Sequence, residues 1–214
     1  MATIVDGIGN AAAALVDRHI AQSNGDQTAL RYGSKRYAYH DVAALMNRAG
    51  NMLRALGVAP HQHVLIAVPP SPAGVASVLG AMKIGAVPVL AARQALTAAI
   101  GELDAPVIVV EAALAAEAEA AAGDRPVIVV GNGAPPERSF VELLRTSPSS
   151  LACATVEDGA WAAAVATSSG LRHATHADVR TAGQGGVDLS TAEGWNVGGM
   201  LAAFARGEEV SLPG

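Results

Sequence analysis

The stretch Leu79-Gly80-Ala81-Met82-Lys83-Ile84-Gly85-Ala86-Val87-Pro88-Val89-Leu90 decides the fold class of this chain. Its first part closes a helix that opens at Ser71-Pro72, a cap residue followed by a first-turn proline. Gly85 ends that helix, and Ala86 to Leu90 is a short apolar run with Pro88 in or beside it. Short, continuously apolar runs suit strands buried on both faces. A helix that delivers the chain straight into such a strand is half of a βαβ unit.

The same alternation extends outward in both directions. Val64-Leu65-Ile66-Ala67-Val68 precedes it and is closed by Pro69-Pro70. Val107-Ile108-Val109-Val110 follows Pro106, Val127-Ile128-Val129-Val130 follows Pro126, and Ala163-Ala164-Val165-Ala166 is a weaker fifth run. Between them lie helical patterns. Over residues 40–56, Val42, Leu45, Met46, Ala49, Leu53 and Leu56 share one face at 3.6-residue spacing, with Gly57 as the stop and Pro60 beyond. Residues 112–122 form an Ala- and Glu-rich helix, and residues 139–145 a short one capped by Ser139. Near the start, Gly33-Ser34 between Ala29-Leu30-Arg31-Tyr32 and Lys35-Arg36-Tyr37-Ala38 predicts a two-residue hairpin turn. The expected fold is α/β and three-layered, with a mainly parallel sheet of about five strands between helices. Residues 1–170 carry this pattern. In residues 171–214 it continues raggedly through scattered glycines, with only residues 197–205 reading as helix.

Composition narrows the function classes. Of 214 residues, 51% are hydrophobic and 15% charged, but alanine supplies much of the apolar share. No run reaches the roughly 18–20 apolar residues of a membrane span. Met1-Ala2-Thr3-Ile4-Val5-Asp6 shows no basic region before an apolar one, so no signal peptide is expected. A net charge of −5, 3% aromatics and no basic stripe argue against nucleic-acid binding. The single Cys153 cannot form an internal disulfide, which fits a reducing cytoplasm.

Taken together these segments resemble the N-terminal part of the adenylate-forming (AMP-binding) acyl- and aryl-CoA ligases, with benzoate-CoA-ligase-like members nearest. Leu15-Val16-Asp17-Arg18-His19 is similar to the opening helix, and Asp26-Gln27-Thr28-Ala29-Leu30-Arg31-Tyr32 to the opening hairpin. Residues 47–58 are similar to the next helix, and residues 79–89 are the most specific stretch. These matches are scaffold. Gly57 and Gly85 read as helix stops, Pro88 as sitting in or beside a strand, and the Leu and Val positions as core.

The resemblance places chemistry at Thr167-Ser168-Ser169-Gly170. In the family a Ser/Thr/Gly-rich loop after a strand wraps the ATP phosphates with backbone N–H groups and hydroxyls, and a lysine adds charge. These four residues match its first half. The second Ser/Thr-Thr-Gly and the Pro-Lys-Gly do not follow; the chain passes to Leu171-Arg172-His173. His173-Ala174-Thr175-His176-Ala177-Asp178-Val179 then resembles the segment after that lysine, which reads as an internal deletion. A second gap falls near Trp195-Asn196, where the family's Pro-hydrophobic-Phe-His motif is missing. The family's later adenine, ribose and magnesium motifs and its C-terminal domain have no counterpart before Gly214.

Other chemistry-bearing residues read as structural. His61 and His63 flank Gln62 as solvated loop histidines; His173 and His176, at a helical spacing of three, with Asp178 form an incomplete zinc set. Gly7-Ile8-Gly9-Asn10 and Gly131-Asn132-Gly133 are incomplete dinucleotide fingerprints, and Pro135-Pro136 makes the latter a turn. Glu102 with Asp104, and Glu157 with Asp158, are surface carboxylates, and Cys153 lacks an activating neighbour.

Three functions follow from the resemblance. One is a catalytically inactive binding or interaction module whose exposed apolar face pairs with itself or with a full-length ligase. Another is a weak binder of a nucleotide or an aryl or acyl carboxylic acid around Thr167 to Gly170. The third is an ATP- and Mg²⁺-dependent acid-CoA ligase, alone or as part of a split enzyme. No catalytic residue and no metal ligand is assigned.

Overall fold

The structure, a computed structural model, describes residues 9–191 and 195–214. The leaderless reading of the first residues, and Gly7-Ile8 of the first glycine motif, lie outside that range.

A π-helical turn over Ala13–Asp17 runs into α1 (Arg18–Ala21), followed by β1 (Thr28–Tyr32), β2 (Lys35–Ala38) and α2 (Tyr39–Ala55). Then come β3 (His63–Ala67), α3 (Pro72–Lys83), β4 (Val87–Leu90), α4 (Leu96–Glu102), β5 (Val107–Glu111), α5 (Ala115–Ala122) and β6 (Val127–Val130). The chain continues through α6 (Phe140–Thr146), β7 (Trp161–Thr167), β8 (Gly170–Thr175), α7 (His176–Gly185), α8 (Val197–Arg206) and β9 (Val210–Leu212).

The large sheet has the order β6-β5-β3-β4-β7-β8. All five apolar runs read from sequence are its parallel strands. The sixth, β8, was not expected; it returns antiparallel from β7 and forms one edge. Strand residues alternate between two cores, as a two-residue period requires. Val64, Ile66, Val107 and Val109 pack with α2 and α3, while Leu65, Ala67, Ile108 and Val110 pack with α4 and α5. This is the expected three-layer α/β arrangement.

Pro88 lies inside β4 without breaking the sheet. Val87 and Ala91 donate their N–H groups to Gln62 and Ile66 on the β3 side. By alternation the Pro88 nitrogen faces β7, whose pairing with β4 begins only at Val89. No ladder donor is needed at that position.

Helices α2 and α3 meet almost backbone to backbone. A Cβ on Gly80 would lie 2.7 Å from Gly50 N and 2.9 Å from Met46 O. Ser71 caps α3 by accepting the Gly74 N–H at 3.2 Å, and Ser139 caps α6 through the Glu142 N–H. The 33–34 turn joins β1 and β2 as expected.

The last segment is more regular than its glycines imply. Besides α8 it holds α7, and β9 pairs parallel with β1 to complete a second sheet, β2-β1-β9. Phe204, Leu201 and Val179 are fully buried. Local glycine content is outweighed here by burial of the apolar positions between the glycines.

Candidate functional site

Strands β4 and β7 end side by side, and beyond their carboxyl ends lies a cleft of about 580 Å³. This is the edge at which open α/β sheets place ligands. One wall is α4 and the turn before it, presenting Ala95, Ala98 and Ala99. The opposite side is the β7–β8 connection with Thr167, Ser168 and Gly170, and Arg172, Ser190 and Thr191 lie at the rim.

The predicted phosphate loop is a tight hairpin turn. β7 ends at Thr167 and β8 begins at Gly170, so only Ser168 and Ser169 lie between paired strands. Thr167 is committed to this turn: its hydroxyl donates to the Gly170 carbonyl at 2.7 Å, accepts the Ser169 N–H at 3.3 Å and lies 3.1 Å from Ser169 Oγ. Gly170 carries φ +115, a conformation that favours glycine. The four predicted residues thus stay together, with Thr167, Ser168 and Gly170 on the cleft and Thr167 and Ser169 bonded to each other's atoms.

The cleft lining includes the cation Arg172, the third residue of β8. It donates to Asp188 Oδ2 at 2.9 Å and to the Ser190 carbonyl at 3.2 Å. Sequence reasoning missed both Arg172 and α4. Ala95, Ala98 and Ala99, three and four residues apart, carried the helical signal that would have found the wall. Glu102, read as surface, is an exposed residue at the cleft margin.

The remaining candidates fall into other roles. His173 and His176 do not share a helix face. His173 lies on β8 and stacks on Trp161 at 3.8 Å, whereas His176 opens α7 and is fully buried. The spacing misled because a strand ends between them. Asp178 is spent on the helix cap, accepting from the Thr175 N–H and hydroxyl at 2.9 and 2.7 Å. Those bonds hold its carboxyl below the usual carboxylate range. No group of three or more His, Cys, Asp or Glu suited to a metal occurs among the described residues. Burial pushes the Cys153 thiol up to about 11, the opposite of an activated cysteine. Residues 131–133 form bends with positive φ at Gly131 and Gly133, as a turn requires.

The profile of a family described as AMP-binding enzyme matches residues 16–168. The chain belongs to the AMP-binding enzyme family.

Within that family it is similar to the 3-hydroxybenzoate–CoA/4-hydroxybenzoate–CoA ligase of Thauera aromatica, at 42% identity over 80 residues, 37% of this chain and 15% of the relative. The 3-hydroxybenzoate–CoA ligase of Aromatoleum sp. (strain CIB) matches at 41% identity over 80 residues, 37% of this chain and again 15% of the relative. The match therefore spans about one seventh of these relatives' length. Among solved structures, an anthranilate CoA ligase in complex with anthranoyl-AMP superposes with TM-score 0.80 at 20% identity, covering 98% of this chain and 44% of that one. A benzoate CoA ligase from Burkholderia xenovorans LB400 superposes with TM-score 0.72 at 22% identity, over 82% of this chain and 36% of that one. At these identities the two solved structures speak for the fold alone.

The β7–β8 turn can be weighed against the Mg-ATP that the family binds. A phosphate cradle needs several unspent backbone N–H groups and a cation. The Thr167 hydroxyl and the Ser169 N–H are bonded to each other within the turn. The residues present do not form that cradle.

Proposed function

We propose that this chain uses the AMP-binding fold as a binding or interaction module and does not by itself adenylate a carboxylate. The observation that carries this reading is the Ser168-Ser169 turn. Its leading hydroxyl is consumed by Gly170 and Ser169, which leaves that hydroxyl and the Ser169 N–H turned to each other and not to a triphosphate. Removing one pre-organised donor from such a site costs about 2.7–4 kcal/mol of transition-state stabilisation. Here several donors and the lysine are missing together. On this reading residues 171–214 continue the domain of residues 1–170, consistent with β8 on β7 and β9 on β1. Self-association and docking on a full-length ligase are the interactions it predicts.

A second reading has its own support. The cleft volume falls within the roughly 300–1,000 Å³ typical of small-molecule sites. Its wall is alanine-rich, and Arg172 at its rim is able to exchange Asp188 for a ligand carboxylate. An aryl acid such as a hydroxybenzoate, the acid named for the relatives, has the matching chemistry. Full ligase activity, alone or with a second chain, is the alternative both readings oppose. No helix among the described residues is long and apolar enough to cross a membrane. The lone half-buried Cys153 is compatible with a reducing cytoplasm.

Thermal unfolding with Mg-ATP, with hydroxybenzoates and with both, beside light scattering, separates these readings. A ligand at a hundred times its Kd stabilises by about 2.7 kcal/mol, a shift easily read. A shift with Mg-ATP followed by acyl-adenylate formation would overturn the module reading. A shift with the acid alone favours the cleft, and a stable oligomer with no shift favours interaction.

A further inference from the structure

The first described helical segment is fastened to the body of the protein by a histidine that works only when neutral. His176 is fully buried, and its Nδ1 accepts the N–H of Ala11 at 3.0 Å. Ala11 stands at the start of the helical run, where N–H groups lack intrahelical partners. Its neighbour Asn10 completes the junction. The Asn10 side chain donates to the carbonyls of Met82, Lys83 and Ala154, and accepts the Ala12 N–H at 3.0 Å. The other His176 nitrogen, Nε2, is buried with no hydrogen-bond partner. Acceptance at Nδ1 fixes the proton of the neutral ring on Nε2.

A proton added to Nδ1 would turn the acceptor into a donor facing a donor. It would also place a full charge at the positive end of a helix, in a fully buried site. Among the described residues, the charged and titratable groups that act on the ring are Arg180 on α7, His61 before β3 and Asp158 before β7. Asp158 is the only anion of the three and is already paired with Arg180 at 2.8 Å. Burial first, then the Arg180 and His61 charges, hold the imidazole down at about 4.

We propose that His176 is an acid-sensitive clasp: its protonation releases the segment beginning at Gly9 and Asn10, with the helical run that follows, from α7 while the central sheet stays folded. The consequence is local. Leu15 and Val16, fully buried in the closed state, would become accessible, together with the apolar surface they cover.

The test is amide hydrogen exchange on the full chain, followed by NMR with correction for intrinsic rates. With an ordinary value of 6.5 in the released state and about 4 in the closed one, protection at Ala11 to Val16 should fall by about twentyfold between pH 7 and pH 5. Amides of β3 and β5 should keep theirs. In His176→Asn, Oδ1 replaces Nδ1 as the acceptor and cannot be protonated in this range, so most of the fall should be lost, leaving only the part that His19 contributes. Equal acid responses in both proteins, or simultaneous loss across β3 and β5, would overturn the clasp. Should His176→Asn fail to fold, the wild-type ring still decides. A His176 titrating near 6.5 with the Ala11 amide unmoved would equally overturn it.

Discussion

Lys83 Nζ lies 2.8 Å from Asp17 Oδ2 and 3.0 Å from Oδ1, tying the end of α3 to the first helical segment across 66 residues of sequence. The lysine side chain is only 4% exposed and the aspartate 21%. A pair this dry offsets two desolvation costs with one attraction, and it is most sensitive to the loss of a single partner.

Asp17→Ala should therefore cost about 3–5 kcal/mol in urea unfolding, because it strands the Lys83 ammonium. The double variant Asp17→Ala/Lys83→Met should recover much of that loss. Strict additivity of the two changes would show that the pair is not coupled.

Gly80 and Gly101 offer a matched comparison. Gly80→Ala drives a methyl within 2.8 Å of the Ala49 Cβ and against backbone atoms of α2 that cannot give way. A loss of at least about 1–3 kcal/mol is expected. Gly101, in α4, meets nothing within 4 Å. Gly101→Ala should leave stability unchanged or raise it by about 0.4–1 kcal/mol, through the entropy of the unfolded chain. Thermal melts of the two variants moving the same way would contradict the α2–α3 contact.

Cys153 should react sluggishly. With the thiol pushed from 9.0 to about 11, its thiolate population at mildly alkaline pH is about a hundredfold below that of an unshifted thiol. Its labelling by a disulfide reagent should be slow in the native protein and fast in urea. Rapid native labelling would place Cys153 in a more open environment than the one beside Lys83 O.

Acid should weaken the fold through His19 as well as His176. His19 is buried, lies 3.0 Å from the Phe204 carbonyl through Nε2, and stacks on Tyr39 at 4.3 Å. Burial lowers its pKa, as it does that of His176. Folded values below the unfolded one mean that stability is fully present above about pH 6.5 and falls as pH drops toward the folded values. Urea midpoints should decline across that window. A flat profile there would mean that both rings keep ordinary values.

Lengthening the β7–β8 turn tests the reading of the site directly. Inserting a Ser/Thr/Gly-rich segment with one lysine between Gly170 and Leu171 should cost little, since loop entropy grows slowly with length. If the short turn is what denies phosphate binding, the lengthened protein should gain a Mg-ATP-dependent rise in melting temperature. Equal responses before and after insertion would remove the turn from the argument.

The sequence by itself determined the layers. Five apolar runs separated by helical patterns specify a buried parallel sheet, because strands covered on both faces have no polar face to show. Ser71, Ser139 and Gly33-Ser34 marked local boundaries that depend only on nearby backbone groups, and the shortness of the stretch after Thr167 was visible as missing residues. Tertiary structure decided what depends on distant partners. Whether His173 and His176 share a face turned on β8 ending between them, and β8 exists because β7 offers it an edge. The cleft wall became a site only when α4 was laid beside the β7–β8 turn. His176 became a clasp only because folding carried Ala11 across 165 residues to its Nδ1. Periodicity records which side of an element is apolar. It carries no information on which distant donor will stand opposite a buried ring.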